Sequence, residues 1–519
     1  MGTSSSSQWT STPARLFLLV FFIILSFTCF LSFPIDDGLR HVGVAFSGEP
    51  NWGNVYPFSY FSDYSEISPW YGYDLVLRKF FSFLQDTPLK PPTLKFFFVK
   101  IFSLIIVFSV FVVLILKSEI LSEIESFQSF LLSTICVIFF LTLFLIRSMS
   151  LRPFIFCTIF LVYSFGQSGY LKGAVSAGAL IFVYPYLSWF YILPVVFCHF
   201  LIGNKKYAAG ALIVLVVFFL FQPLSYWNLQ AGIFASGSIR NQMDANIGEL
   251  LNTFSSFYCV LVLIGLILSY PISHIGRKKL NYGDLLLLVY LLPSIIYIRT
   301  FMDVILPLAF VSYSKCFISI LNPKLSNTTV YWKTFLAEVQ SEVFAKLPQR
   351  ILIRITRIAN SGRRSNISLK PIILTLFAVL FAFVIKTNFD QLGIINETEK
   401  LLSTIPQNST ILSSFNQQYN ILFVRPDLKI IPSSEISFPS HAIRDEYILF
   451  FKSGQFKNLA SKTSASYLIE AKEDYLDPRE GRFLEFVGNY NKMTIWKILD
   501  SPNSNSTVMN DNTAAGPNR

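Results

Sequence analysis

The run Phe33-Pro34-Ile35-Asp36-Asp37-Gly38-Leu39-Arg40-His41 sets two adjacent carboxylates, a guanidinium and an imidazole close together in the chain. A carboxylate there can take the proton of an acceptor hydroxyl or ligate a divalent cation. Arg40 and His41 suit a phosphate. Asp-Asp-Gly is equally an ordinary turn at the start of a solvated loop, and the residues alone leave the two readings level. A second group consists of Arg147, Arg152, Arg299 and Asp303, each beside a short turn between apolar runs. These are candidates for holding an anionic group, with arginines snorkelling to lipid phosphates as the alternative.

The elements that must position these residues are apolar. The chain has 519 residues, 53% of them hydrophobic and only 14% charged, with 54 phenylalanines and a mean hydropathy of +0.52. A soluble domain carries about 25% charged residues, so a soluble enzyme, a disordered chain and a disulfide scaffold are excluded. About 20 apolar residues at about 1.5 Å each cross the hydrocarbon layer. The pattern predicts an α-helical polytopic membrane protein with about eleven spans: 15–33, 95–116, 127–146, 153–166, 173–188, 190–203, 207–222, 254–270, 283–298, 301–318 and 371–386. Pro185 and Pro194 predict short or broken helices within 153–203.

Charge gives the orientation. From Lys315 to Lys370 there are ten Lys/Arg against two Asp/Glu. This excess sits in one loop between apolar runs, so it reads as a cytoplasmic loop rather than a nucleic-acid surface. Lys205-Lys206 and the segment His274–Lys279 fall on the same side, as does Arg15. The predicted order is a disordered 1–14, a transmembrane module over 15–386 with outer loop 34–94 and cytoplasmic loop 319–370, an outer α/β domain over 387–500, and a disordered 501–519. In the domain, strands are predicted at Ser409–Ser413, Tyr419–Val424, Ser466–Ile469 and Met493–Ile498, with a short helix at Glu397–Thr404. Arginines 147, 152 and 299 then lie outside, against the usual bias, which points to work on an anionic headgroup.

Trp52, Tyr56, Phe58, Tyr60, Phe61, Tyr64, Trp70, Tyr71 and Tyr73 put nine aromatics into 22 residues of the first outer loop. Interfacial anchoring is the expected use, stacking on sugar the other. Asp63, Glu66 and Asp74 among them read as solvated charge that could complete an acidic pocket, and Arg240 with Asp244 as a surface pair. His199, His274 and His441 are isolated, and the six cysteines form no disulfide or metal pattern. Walker, GxSxG, HExxH and dinucleotide motifs are absent. The absence of cysteine from the outer polar regions favours a bacterial inner membrane with the C-terminal domain outside the cytoplasm.

The layout, with Asp36-Asp37 directly after the first span followed by Arg40 and His41, an aromatic outer loop, short spans and an outer α/β tail, resembles the GT-C superfamily of polyprenyl-phosphate-sugar-dependent glycosyltransferases, such as protein O-mannosyltransferases and the aminoarabinose transferase of lipid A. The resemblance implies a GT-C-like fold and transfer of a sugar from a lipid-linked donor to an extracytoplasmic acceptor, with membrane lipid and no nucleic acid as further partners. It implies a catalytic Asp36 or Asp37, and Arg147, Arg152 and Arg299 on the lipid phosphate. A divalent metal is open: relatives carry an acid in the second outer loop, whereas Arg147–Arg152 has none, leaving Asp303 or Asp63 as substitutes. An O-antigen ligase or polymerase and a non-enzymatic transporter or flippase are the alternative readings. The first expects Arg and His in a large late loop, and the second expects mid-span charge and repeats.

Overall fold

A computed structural model of the chain describes residues 12–32, 37–49, 51–59, 70–85, 92–124, 127–222, 281–321, 369–413, 415–431, 440–471, 476–477, 479–490 and 493–501, with 224, 226–228, 259–260 and 263. Asp36, Asp63, Glu66, Arg240, Asp244 and most of the expected 254–270 span and 319–370 loop lie outside the described residues. The chain is mostly helical, with a small sheet in its C-terminal region. Among the described residues three helices are long and apolar enough to cross a membrane: Ala14–Leu31, Thr93–Ser118 and Ser129–Ser148. They belong to α1 (Thr12–Leu31), α5 (Pro92–Ser118) and α6 (Phe127–Ser148). Between α1 and α5 come α2 (Asp37–Ser47), α3 (Trp52–Val55) and α4 (Tyr71–Gln85).

Shorter apolar helices follow: α7 (Phe154–Tyr163), α8 (Tyr170–Val183), α9 (Ser188–Leu201), α10 (Lys205–Leu220) and α11 (Tyr282–Ile296). A π-helical turn, Phe301–Ile305, leads into α12 (Leu306–Leu321). Pro185 falls in the break between α8 and α9, where Pro194 sits inside α9 without ending it. Leu16, Leu19, Ile138, Ile213, Val216 and Leu220 are exposed on these helices. Apolar residues facing outward as well as inward distinguish a lipid-facing helix from an amphipathic one.

Helix ends sort into two sets. The α6–α7 turn, the end of α1, the start of α5 and the end of α8 gather at one pole. At the other, Lys117 reaches the carbonyl of Phe165, and Asn204 donates to Gln167 O at 2.6 Å. α8 and α10 approach so closely that a Cβ on Gly173 would lie 2.2 Å from Tyr207 O, and one on Gly210 would lie 2.1 Å from Tyr170 O.

α13 (Leu369–Leu402) runs unbroken through the expected domain boundary at 386–387, so the last apolar run and the predicted helix at 397–404 are one element. It also finishes α1. The last carbonyls of a helix lack intrahelical donors, and here Lys100 Nζ and Asn388 Nδ2 donate to Phe30 O at 2.5 and 3.0 Å, while Gln391 Nε2 donates to Leu31 O at 3.2 Å. A lysine at that position also complements the negative end of the helix dipole.

Past α13 come β1 (Thr410–Ser413), α14 (Phe415–Val424), β2 (Lys429–Ile431), α15 (Arg444–Ser453), α16 (Lys457–Thr463), β3 (Tyr467–Ala471), β4 (Leu484–Tyr490) and β5 (Met493–Ile498). The sheet order is β2-β1-β3-β5-β4, with β1 parallel to β2 and β3, and β5 antiparallel to β3 and β4. Alternation along the strands separates two layers. Ile411, Ile430 and Ile469 join the core shared with the helical bundle, whereas Leu412, Ile431 and Leu468 pack with Tyr447, Phe456 and Leu459 on the other side. Tyr419–Val424, expected as a strand, is helical, because parallel β1 and β2 need a crossover between them. Burial on every side except Asn420 erased the periodicity that would have shown it. Arg425 ties this crossover down: it forks onto Asp427 at 2.7 Å twice and donates to Leu402 O and Ile405 O. Burial alone would raise the Asp427 pKa, but the bonds from Arg425 overcome it and hold the carboxyl below its ordinary value.

α2 is the element that positions the motif, and two glycines let it fit. A Cβ on Gly38 would lie 1.6 Å from Ser150 O, and one on Gly43 would lie 2.7 Å from Leu422 Cβ on α14. Gly38→Ala should therefore lower the thermal midpoint of the purified chain by several degrees, an overpacking cost of about 1–3 kcal/mol. Gly393→Ala, where a Cβ meets nothing within 4 Å, should leave it unchanged or raise it slightly. Equal midpoints for the two variants would contradict the close approach.

Candidate functional site

Two buried carboxylates organise the pole where α2 meets the α6–α7 turn. The first is Asp74. It is 3% exposed, not solvated as its sequence neighbourhood implied. Its Oδ1 meets His41 Nδ1 at 2.8 Å, and its Oδ2 accepts from Trp52 Nε1 at 2.7 Å. With both Asp74 oxygens acting as acceptors, Nδ1 of His41 is the donor in this bond. The rings of Trp52, Trp70 and Tyr73 stand edge-on around the imidazole at 4.9–5.1 Å.

The aromatics between α1 and α5 therefore divide. Trp52, Tyr56, Trp70 and Tyr73 go inward to build this cage, rather than anchoring at an interface, while Tyr71 is exposed. Tyr60, Phe61 and Tyr64 lie outside the described residues. Tyr73 donates its hydroxyl to the carbonyl of Leu151. Burial, then the neighbouring charge of Asp74, push its phenol well up, so it stays a donor.

Arg40 is fully buried, with its guanidinium 5.3 Å from the Trp52 ring centroid and 5.7 Å from that of Tyr419 on α14. A desolvated cation gains about 2 kcal/mol from such faces. Tyr419 brings the C-terminal region into the site, and Gln418 beside it is buried with its amide N and O both unbonded. Sequence reasoning found neither: Tyr419 opens the segment read as a strand, and Gln418 immediately precedes it. Asp37 opens α2, in the turn next to Arg40 and His41.

The second carboxylate is Asp303, 3% exposed on the π-helical turn. Arg147 forks onto it, Nε to Oδ1 at 2.7 Å and an Nη to Oδ2 at 3.0 Å, and Arg299 stands 3.7 Å from Oδ2. Both guanidinium groups lie over Phe154, at 5.1 and 5.6 Å. Thr158 holds the Asp303 carbonyl at 2.6 Å. π-turns recur at functional sites, because the extra residue re-aims a side chain. The group is two cations on one anion, with Arg299 the most open of the three at 39% side-chain exposure. Arg152, mostly buried, lies on the same turn as the Ser150 and Leu151 carbonyls that Gly38 and Tyr73 touch.

Thus Arg40 and His41 share one cluster, Arg147, Arg299 and Asp303 share another, and the α6–α7 turn joins the two. Of the described carboxylates here, Asp74 is engaged by His41 and Trp52, and Asp303 by Arg147. Among the described residues no group of three His, Cys, Asp or Glu converges. The described cysteines 29, 136, 157, 198 and 259 are buried and in no disulfide among the described residues, and His199 lies between the rings of Tyr207 and Tyr282 at the opposite pole. No model of a known protein family matches the sequence, and no curated protein is significantly similar to it.

Asp303→Asn should destabilise the chain by about 3–5 kcal/mol, since it removes the buried charge onto which the largely buried Arg147 forks. Arg147→Met combined with Asp303→Leu should recover most of that loss, as measured by thermal unfolding in detergent. A single variant as stable as the parent would show the pair to be dispensable.

Proposed function

We propose that this chain is a multi-pass membrane transferase whose chemistry sits at the outer water–lipid boundary. More narrowly, it is a GT-C-type glycosyltransferase that moves a sugar from a polyprenyl-phosphate donor to an extracytoplasmic glycan, lipid or protein. The observation that carries this reading is the convergence of the motif on α2 with the Arg147–Asp303–Arg299 cluster at one pole of an apolar bundle. The pole opposite bears Lys117, Lys172, Lys205 and Lys206, which supports a cytoplasmic placement for that end and eleven spans in the orientation read from charge.

In this reading a donor enters from the bilayer with its phosphate beside Arg299, Arg147 and Arg152. The acceptor oxygen attacks the anomeric carbon as the bond from that carbon to the phosphate oxygen breaks, through a transition state of oxocarbenium character. The hydroxyl proton passes to the carboxylate of Asp36 or Asp37, and the departing phosphate is stabilised by the arginines. Arg40 and His41 hold the substrate's polar groups, and Asp74 orients the imidazole. No step is assigned to a metal. The same orientation puts the sheet outside the cytoplasm, in a bacterial inner membrane.

Membranes containing the chain should release polyprenyl phosphate from at least one donor in a panel of polyprenyl-phosphate hexoses and pentoses. Replacing Asp36 and Asp37 together by Asn should cut that rate by about 10²–10⁴-fold, the usual worth of a general base, with the thermal midpoint unchanged. Arg299→Met should chiefly raise KM for the donor. Full turnover in the double Asn variant would sink the assignment.

The Asp74–His41 pair gives a separate expectation. Asp74→Asn removes the carboxylate that fixes the imidazole, so turnover should fall and its pH profile should shift, while Trp52→Phe, which deletes only one donor to Asp74, should do less. An unshifted profile in Asp74→Asn would leave the pair a packing feature.

A further inference from the structure

The groove between α7 and α8 plays no part in this chemistry. Phe156, Ile159 and Tyr163 form one wall and Leu171, Val175 and Ala179 the other, around a volume of about 440 Å³. The walls are apolar, but the mouth at the α7–α8 turn is basic. Lys172 lines it, and Lys117 reaches the same turn from α5, donating to Tyr163 O at 3.5 Å and Phe165 O at 3.1 Å, with its ammonium 5.5 Å from the Tyr163 ring centroid.

Lys117 and Lys172 thus both stand at this turn. Among the described residues neither forms an ion pair with a carboxylate. Two like charges at the head of an apolar slot complement a molecule with an anionic head and a long apolar tail, and basic pockets between membrane helices on the cytoplasmic side recognise such headgroups. From Lys172 to Val183 α8 rises about 16 Å, roughly the depth of one leaflet of a hydrocarbon core about 30 Å thick.

We infer that this groove seats an anionic phospholipid of the cytoplasmic leaflet, with its phosphate between Lys117 and Lys172 and one acyl chain along Val175, Ala179 and Val183. The inference rests on the orientation proposed above, which turns this pole to the cytoplasm, but not on the glycosyltransferase chemistry.

The test uses the full chain in detergent, offered equal amounts of phosphatidylglycerol and phosphatidylcholine, with retained lipid counted by native mass spectrometry. The chain should retain phosphatidylglycerol over phosphatidylcholine by about thirtyfold, since two lysines near a headgroup contribute about 1 kcal/mol each. Lys172→Glu should abolish the preference, and Val175→Trp, which fills the slot, should reduce retention of both lipids. Lys205→Glu, which reverses a charge at the same pole but outside the groove, should keep the preference. Equal retention of the two lipids by the unaltered chain overturns the inference, as does an undiminished preference in Lys172→Glu. Displacement of the phospholipid by an equimolar polyprenyl phosphate also overturns it, because the groove would then belong to the donor's carrier. A cysteine at Gln167, probed with an impermeant maleimide in sealed cells, reports the orientation separately. Labelling from outside would refute the orientation, whatever the lipid result.

Discussion

A carboxylate taken out of water costs several kcal/mol unless donors meet its oxygens. Asp74 and Asp303 both meet that condition, and the order of the pole around α2 follows from it. Asp74 cannot be buried unless α4 lies against α2, which supplies His41, and against α3, which supplies Trp52. Asp303 cannot be buried unless the turn before α12 reaches the end of α6, which supplies Arg147. Each carboxylate therefore fixes elements far apart in sequence, 33 residues for one pair and 156 for the other. Each also leaves positive or proton-accepting groups beside it, Arg299 in one cluster and the imidazole in the other, held by packing and not by a flexible loop.

The close backbone contacts work in the same direction. Gly38 lets α2 rest on Ser150, Gly43 lets it rest on Leu422, and Gly72 brings α4 to within 2.4 Å of the Phe182 carbonyl, measured from where its Cβ would stand. A side chain at any of these points would push α2 or α4 away and lengthen the His41–Asp74 contact. The requirement for glycine is steric here, because all three sit in helices at ordinary dihedrals.

Much of this was legible in the sequence, for identifiable reasons. Long apolar runs such as 95–116 and 127–146 are their own evidence, since nothing else in a chain produces them. Arg147, Arg299 and Asp303 stood out because charge at the edge of apolar runs is costly, and that cost is what draws them together. Asp74 gave no such sign. It lies among charged and aromatic residues in a polar loop, where a buried acid and a solvated one have the same local sequence. Only the fold, by bringing Trp52 and His41 to it, tells them apart. The Tyr419–Val424 segment misled because a short apolar run of Ile, Leu, Phe and Val satisfies strand and buried helix alike. Its helical state depends on the distant pairing of β1 with β2.

That helix also decides how the C-terminal sheet relates to the site. A domain hung on a flexible linker would reach α2 only by chance encounter. Here α13 passes without a break from the last apolar run to Leu402, donates through Asn388 and Gln391 to the end of α1, and is locked by Arg425 to the turn that follows α14. The end of α1 and the helix that lies on α2 are thus set by one rigid element. Tyr419 stands over Arg40 as a consequence of this geometry. A partner-binding appendage would be expected to show its polar groups to solvent. Instead this helix commits the Tyr419 ring to Arg40 and the Leu422 backbone to Gly43, so the C-terminal region packs directly on the helix that carries the motif.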